Sequence, residues 1–201
     1  MEDLLDIMLM PNTEANLQLA DPTLVTYYQN LEDRVLWLDS AVDENTVELT
    51  KKILIWNAED ERAGFEIENR RPIHLRILSG GGSAYQMLAL IDAILTSKTP
   101  VYTYNMGFAA SAACCILVAG HKRFATVHSH AMWHSGYAGL DGTMEQIQSA
   151  SKHFDRMEEQ MRDFLLSRTK VDLKTYRKQK DKDWYMDAND QLALGLVDQI
   201  L

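Results

Sequence analysis

The chain has 201 residues, of which 46% are hydrophobic and 24% are charged, and its formal net charge is −9. This composition is typical of one compact domain with a buried core. The acidic balance argues against nucleic acid or an anionic membrane as the main partner, because both favour basic surfaces. No apolar run approaches the roughly 18 residues that span a bilayer, and the acidic start does not resemble a secretory signal.

Residues 1–25 differ in pattern from the rest of the chain. Their first part carries leucine and methionine at helical spacing, and their second part is polar and contains Pro11 and Pro22. We expect this N-terminal segment to be flexible or to line a pore. Residues 26–201 are expected to form the folded domain.

Strand and helix signals alternate through that domain. Strands are predicted at 34–40, 73–78, 101–104, 124–134 and 195–201. Helices are predicted at 43–60, 84–95, 112–119, 143–168 and 188–194, and the charged connector 59–72 is interpreted as a solvated loop. The longest helix begins with a capping-box pattern of Thr143 and Gln146. Short connections between alternating strands and helices indicate an α/β fold with a largely parallel sheet.

A glycine-rich turn, SGGGS at 79–83, follows one predicted strand and precedes a helix. A phosphate-binding turn would occupy this position. The segment matches neither the GxGxxG fingerprint nor a P-loop, which needs a lysine after its last glycine. The exposed N–H groups of such a turn can instead hold an oxyanion, and this interpretation is the more general one.

Three histidines follow the pattern HxHxxxH: His128, His130 and His134. In one continuous strand their even spacing would place them on one face, where they could bind a metal ion. The segment has no Asp or Glu to complete or orient such a site. One functional histidine among surface neighbours is therefore favoured, and no metal or other cofactor is predicted.

The stretch GFAASAACC at 107–115 makes Ser111 either a nucleophile or a small residue in tight packing. Cys114 and Cys115 are predicted to be buried, unreactive thiols of a cytoplasm-like compartment, because adjacent cysteines rarely bridge each other. A glycine turn before the serine and a histidine after it give the order expected of a Ser–His–acid triad.

The acid of such a triad has to lie later in the chain. The C-terminal region offers several aspartates, and spacing by itself does not choose among them: Asp181, Asp183, Asp187, Asp190 and Asp198. Asp187 has the position of a helix N-cap, which is a structural role.

These motifs, in this order, resemble the proteolytic subunit of the Clp protease, the ClpP family of serine peptidases. The matching segments are SGGGS, MGFAASAA, MWH, the long helix and DWYMDANDQLALGLVDQIL, and the likeness extends from about Tyr27 to Leu201. The resemblance implies the ClpP/crotonase-like α/β spiral of βαβ units, with a protruding handle helix at about 143–168.

The resemblance also implies a catalytic triad. MGFAAS at 106–111 matches the family motif MGxAAS, whose small residues would let the chain turn tightly before the nucleophile Ser111. His134 would be the general base. Asp183 would be the acid, because the family's acid lies twelve residues before the glycine of the terminal GLVD segment, which here is Gly195.

Backbone groups are implied to complete the site. The N–H groups of Gly82 and Ala112 would form the oxyanion hole. Gly81 of the turn and the connector residues Gly136 and Gly139 would bind the substrate backbone, the connector by β-addition.

The resembling family consists of ATP-independent, cytoplasmic peptidases that assemble two stacked seven-membered rings and take substrate from an AAA+ unfoldase. The resemblance therefore implies peptide or unfolded-protein substrates and a homo-oligomer. His74 and Arg76 stand where typical members carry tyrosines that help dock the unfoldase, so that partnership stays open. Gly80 replaces the usual proline of the glycine turn, which loosens the turn through backbone entropy.

Two other functions are compatible with the same fold. A catalytically silent ring subunit is disfavoured by the complete Ser–His–Asp set. A crotonase-like enzyme acting on acyl thioesters would use a backbone oxyanion hole without this triad.

Overall fold

The computed structural model describes residues 21–136 and 139–201, so nearly all of the predicted N-terminal segment lies outside the described residues. The helices are α1 Pro22–Glu32, α2 Thr46–Arg62, α3 Ala84–Thr96, α4 Ala112–Ala119, α5 Met144–Arg168, α6 Leu173–Gln179 and α7 Ala188–Ala193. The strands are β1 Val35–Leu38, β2 Ile73–Ser79, β3 Val101–Ala110, β4 Lys122–Ala125, β5 His130–Trp133, β6 Trp184–Met186 and β7 Gln199–Ile200. A short 3₁₀ turn at Ile67–Asn69 lies between α2 and β2.

The strands form one largely parallel sheet. Its main path is β1-β2-β3-β4-β7, in which every pair is parallel. The first half of β3 pairs with β4, and its last three residues pair with β5. β6 then adds to β5 in the antiparallel direction. The alternating strand–helix order therefore produces the predicted α/β fold.

The core lies on one face of this sheet. β2 alternates as predicted: Ile73, Leu75 and Ile77 are fully buried, while His74 and Arg76 lie on the other, partly exposed face. All eight residues of α4 are buried, because this helix packs between β3 and α3. No helix in the described ranges is long and apolar enough to cross a membrane.

The helix ends follow the predicted chemistry. Thr143 and Gln146 form a capping box at the start of α5, and Asp187 caps α7 through the N–H of Asp190. These side chains accept hydrogen bonds from N–H groups that the first helical turn leaves unpaired. α1 crosses the predicted boundary between residues 25 and 26.

The predicted strand 124–134 is wrong as a single element. The chain leaves β4 after Ala125, turns at residues 126–129 and begins β5 at His130. The turn is closed by hydrogen bonds from the Ser129 N–H and hydroxyl to the carbonyl of Thr126. His128 lies in this turn, so the three histidines do not share one strand face.

The charged connector 59–72 is not simply a solvated loop. α2 continues to Arg62, and the carboxylate of Asp60, with only 2% of the side chain exposed, accepts hydrogen bonds from Arg34 and from the Thr99 hydroxyl. Arg70 is also buried and donates to the carbonyl of Phe65. Charged side chains can be buried here because each meets a partner.

The predicted final strand is shorter than expected. Only Gln199–Ile200 pair with β4, and the preceding residues connect α7 to the strand. Gly195 adopts a φ of +72°, which glycine tolerates and which ends the α7 region.

Candidate active site

Ser111 lies at the junction between β3 and α4, where the chain turns sharply. Its φ of +53° and ψ of −122° fall in a region that residues with a Cβ rarely adopt. Its N–H donates to the carbonyl of Met132 at 2.8 Å, and its carbonyl accepts from the N–H of Cys114 at 3.0 Å. The surrounding backbone therefore holds the strained residue and presents its side chain at the end of the sheet.

The interpretation that the small residues before Ser111 make the turn is wrong. Gly107, Ala109 and Ala110 belong to β3, and none of them has a positive φ. Their small size serves packing instead: a Cβ at Gly107 would lie 3.0 Å from a methyl carbon of Leu78. Ser111 itself makes the turn.

Strand pairing brings the three predicted triad positions together. β5 lies between β3 and β6, parallel to the first and antiparallel to the second. Ser111 directly follows β3, and His134 directly follows β5. Asp183 directly precedes β6, whose first residue Trp184 pairs with Trp133. All three side chains therefore start from the same edge of the sheet.

The distances among these side chains suit proton transfer. Ser111 Oγ and His134 Nε2 lie 2.8 Å apart, within a hydrogen bond. His134 Nδ1 and Asp183 Oδ1 lie 3.4 Å apart, an ion-pair distance that is longer than a good hydrogen bond. The Asp183 side chain is 57% exposed and that of His134 is 22% exposed, so water reaches the acid more easily than the base.

The other aspartates of the C-terminal region are engaged elsewhere. Asp187 and Asp190 form the capping box of α7, and Asp198 forms an ion pair with an arginine of β4 at 2.5 Å. Asp181 is strongly exposed and lies 3.7 Å from a neighbouring lysine. Within the described part of the chain, Asp183 is the aspartate placed beside the histidine.

The glycine turn packs directly against the start of α4. Gly81 is buried with a φ of +90°, and a Cβ there would lie 2.9 Å from the nitrogen of Ala112. Its N–H donates to the Ser79 hydroxyl at 3.1 Å, and its carbonyl accepts from the N–H of Val42 at 2.9 Å. Gly81 thus supports the site by close packing, and its contact with substrate stays a prediction.

Two residues that line the same cavity as Ser111 have backbone N–H groups without an acceptor among the described residues: Gly82 and Ala112. Ala112 is the first residue of α4, where the helix leaves its N–H unpaired. Gly82 is exposed, has a φ of +153°, and is held by a bridge to Val42. These two groups have the chemistry that an oxyanion hole requires.

The connector after His134 is described only in part. Tyr137 and Ala138 lie outside the described residues. Gly136 and Gly139 are exposed, and the space where a Cβ would lie is open at both. Their predicted contact with the substrate backbone stays a prediction.

The cysteines match the sequence prediction. Both are buried, and burial raises the pKa of the Cys114 thiol to about 12 and that of Cys115 well above its usual range. A thiol needs to lose its proton to act as a nucleophile, so neither cysteine competes with Ser111.

A cavity of about 830 Å³ opens beside Ser111 and His134. Residues of α5 and α6 also line it. Met157 and Met161 contribute apolar surface, and Glu158 contributes a carboxylate whose Oε1 accepts a hydrogen bond from the Ser135 hydroxyl at 3.1 Å. Sequence reasoning missed Glu158, because its place within an apolar helical stripe indicates a packed face but not the surface that this face meets.

A buried polar network positions β5, and sequence reasoning missed this network too. The side-chain N–H₂ of Asn105 donates to the carbonyl of His130 at 2.9 Å and to the side-chain oxygen of Gln191 at 3.0 Å. Gln191 in turn donates to the carbonyl of Ser129 at 3.2 Å. Because Asn105 and Gln191 are fully buried, these bonds tie the start of β5 to β3 and α7.

The metal interpretation of the histidines finds no geometric basis. In the residues that the structure describes, no group of three or more His, Cys, Asp or Glu side chains is placed to hold an ion.

The fold and a match to a known protein family together define the class of protein. The fold is a mixed α/β fold with a parallel sheet, consistent with that of ClpP-type peptidases. A family model described as Clp protease matches residues 20–201. The chain belongs to the Clp protease family, whose members generally form homo-oligomeric rings and act on peptide substrates.

Proposed function

We propose that the protein is the peptidase subunit of a self-compartmentalised serine protease, which hydrolyses peptide bonds without ATP. The observation that carries this proposal is the 2.8 Å contact between Ser111 Oγ and His134 Nε2 at the cavity. Nucleophile and base at hydrogen-bond distance, with a carboxylate beyond the base, are the arrangement of a Ser–His–Asp triad.

In the first half of the reaction, His134 Nε2 takes the proton of the Ser111 hydroxyl while Oγ attacks the substrate carbonyl. The carbonyl oxygen becomes an oxyanion that the N–H groups of Gly82 and Ala112 stabilise, each worth about 10²–10³ in rate. His134 then gives its proton to the leaving amine, and the acyl group stays on Ser111.

In the second half, water enters and His134 accepts its proton as the oxygen attacks the acyl carbon. The tetrahedral intermediate collapses, and Ser111 regains its proton from His134. Asp183 accepts the Nδ1–H of the imidazole throughout, which selects the productive tautomer and stabilises the imidazolium that forms twice per cycle. Its 3.4 Å separation from Nδ1 needs to shorten by only a few tenths of an ångström to form a hydrogen bond.

Two further features support the site. The N-terminus of α4 lies at Ser111, and the helix dipole adds positive potential where the oxyanion forms. Gly81 and Gly136 line the cavity beside Ser111, and these two residues, together with Gly139, are proposed to contact the substrate backbone.

The proposed assembly is a homo-oligomer of two stacked heptameric rings in the cytoplasm. The first half of α5, including Met144 with 66% exposure, extends with little burial within the subunit and is available for contacts between subunits. An AAA+ unfoldase is the proposed supplier of substrate. His74 and Arg76 on the exposed sheet face give that docking surface positive and polar character.

Activity-based labelling tests the proposal. A fluorophosphonate probe should label the native protein and the Ser167→Ala control, in which an exposed serine of α5 is removed, but not Ser111→Ala. Native mass spectrometry of the same samples should give one oligomer mass for all three. Absence of labelling in the wild type would leave a catalytically silent ring subunit as the better description.

The assignment of the acid has its own test. Asp183→Asn should depress hydrolysis of a small fluorogenic peptide far more than Asp181→Asn, which removes a neighbouring exposed carboxylate. Equal losses in the two variants would mean that Asp183 is not the acid.

A further inference from the structure

One face of α5 lines the same cavity as Ser111. Phe154, Met157, Glu158 and Met161 follow the i, i+3, i+4, i+7 spacing of one helical face, and all of them line the cavity. Glu158 thus occupies a position that the pattern otherwise fills with apolar residues. Its half-buried carboxylate faces the space that a substrate would enter.

One hydrogen bond and one charge interaction connect that carboxylate to residues of the site. Ser135, which donates to Glu158 Oε1, directly follows His134. Burial raises the pKa of Tyr176, and the negative charge of Glu158 raises it further. Tyr176 and Cys115 line the same cavity, and Cys115 Sγ lies 3.5 Å from the carbonyl oxygen of Ser111.

The charge of the cavity is one-sided. Among the described residues that line it, the acidic side chains are Asp155 and Glu158, and neither Lys nor Arg contributes. Among the described residues, Glu158 belongs to none of the ion pairs, and Arg162, one turn further along α5, pairs with Asp163 instead. A half-buried carboxylate outside an ion pair retains a desolvation cost that an incoming cation relieves.

The shape of the cavity suits a long side chain. The residues that line it with Ser111 include the small side chains of Ala84, Ala112 and Cys115. Met157 and Met161, on the same helical face as Glu158, add apolar surface to the lining. The aliphatic stem of a lysine or arginine can pack on such a surface while its charged end reaches a carboxylate.

We propose that Glu158 makes the enzyme selective for substrates with lysine or arginine at the residue that supplies the scissile carbonyl, the P1 position. This inference rests on the proposed function and adds the substrate class to it. Charge complementarity with Glu158 supplies the preference, and the same carboxylate rejects acidic P1 residues.

The test compares fluorogenic peptides that differ only at P1, with lysine, norleucine or glutamate, on the assembled full-length protein. Norleucine matches the lysine stem without the charge. We expect the kcat/KM ratio of lysine to norleucine to be about tenfold or more, since a charge-assisted hydrogen bond contributes on that scale. Glu158→Gln should lower this ratio about tenfold and bring the glutamate peptide closer to the norleucine peptide.

Two variants make the result specific to Glu158. Glu159→Gln removes the next carboxylate of α5, which is exposed and outside the cavity, and should keep the wild-type ratio. Asp155→Asn removes the other acidic residue of the lining. A loss of selectivity in Asp155→Asn but not in Glu158→Gln would overturn the assignment to Glu158.

The experiment separates this inference from the proposed function. Hydrolysis that requires Ser111 but favours norleucine over lysine would overturn the P1 selectivity and leave the peptidase standing. Failure to cleave any of the peptides, together with absence of fluorophosphonate labelling, would overturn both.

Discussion

Arg34 and Ser111 share an unusual positive φ and have opposite surroundings. In the described ranges they are the non-glycine residues with positive φ, at 55° and 53°. Each stands where a helix and a strand meet: Arg34 between α1 and β1, and Ser111 between β3 and α4. Such conformations cost of order 1–3 kcal/mol each, so both need compensating contacts.

Arg34 is held by its own side chain. Its guanidinium donates to both carboxylate oxygens of Asp60, at 2.6 and 2.7 Å, and to the carbonyl of Arg71 at 3.1 Å. Only 14% of the side chain is exposed. The side chain of Arg34 therefore compensates for the strain in its own backbone. Because the guanidinium is engaged in these hydrogen bonds, it is not available for chemistry.

Ser111 is held by its neighbours. Met132 and Cys114 bond its backbone, and Gly81 packs against it so closely that a Cβ there would lie 2.8 Å from the Ser111 Cβ. Among the described residues, its hydroxyl forms its hydrogen bond with His134, and Ser111 lines the cavity. The comparison teaches that a strained residue becomes available for catalysis when other residues stabilise its backbone.

Alanine substitution should separate the two residues most strongly. Ser111→Ala should lower peptidase turnover on the order of 10⁴-fold or more and change the free energy of unfolding by less than about 1 kcal/mol. Arg34→Ala should lower the free energy of unfolding by about 3–5 kcal/mol, because it strands the buried Asp60 carboxylate. Urea titration measures the change in the free energy of unfolding of both variants, and single-substrate kinetics measures their turnover. A destabilised Ser111→Ala would break the comparison.

Asp183, the acid of the proposed triad, and Asp60, the partner of Arg34, should show the same contrast between catalysis and stability, with smaller effects. Asp183→Asn should reduce turnover by about 10²–10⁴-fold with little loss of stability, since its carboxylate is exposed. Asp60→Asn should retain turnover per folded molecule but reduce the free energy of unfolding by a few kcal/mol. Thermal melts and active-site titration are the measurements, and loss of turnover in folded Asp60→Asn would contradict the structural role.

Acid should weaken the Arg34 region through Asp60. The hydrogen bond from Arg34 holds the pKa of the Asp60 carboxyl below its ordinary value of 3.8. The unfolded state therefore takes up a proton at higher pH than the folded state, and the stabilisation present above that ordinary value is lost as the pH falls through the folded pKa. Urea midpoints at about pH 7 and about pH 3 should show a larger loss for the wild type than for Asp60→Asn. Asp181→Asn, which lacks only an exposed carboxylate, should behave like the wild type.

The smallest effect measures the strain itself. Glycine tolerates positive φ, so Ser111→Gly should be more stable than Ser111→Ala by about 1 kcal/mol. Arg34→Gly should likewise be more stable than Arg34→Ala by a similar amount. Both variants lack the guanidinium, so only the backbone differs between them. Denaturant unfolding of the four variants gives the two differences. If glycine is no better than alanine at either site, backbone strain is not what the two residues share.

Much of this fold was predictable because its signals are local. Apolar patterns identified α2, α3, α4, α5 and α7, whereas α1 and α6 were not predicted. The Thr143–Gln146 pair marked the start of α5, and alternation in β2 identified its buried face. The buried charges were not predictable in the same way. Asp60 lies in a run of charged residues. Its burial depends on hydrogen bonds from Arg34 and Thr99, which are distant in sequence and offset the loss of hydration.

The candidate site also combines features that were predictable from local sequence with features that were not. The order of a glycine turn, Ser111 and a later histidine could be read from the chain, but His134 and Asp183 were assigned through the resemblance to the Clp protease family. The structure brings those positions to one edge of the sheet. Glu158 could not be assigned to the cavity, because a glutamate on a long helix is usually solvated and only the packing of α5 against the sheet decides which face lines the pocket. The split between β4 and β5 was missed because the long β3 pairs with both.

The sequence by itself determined five of the described helices, the caps of α5 and α7, the alternating α/β order and the small residues that allow close packing at 107–115. These depend on neighbours within a few positions of the chain. The tertiary structure decided the strand register that places β5 between β3 and β6, the turn at Ser111, and the face of α5 that carries Glu158 into the cavity. Such features depend on hydrogen bonds and packing between residues far apart in sequence, which no local pattern contains.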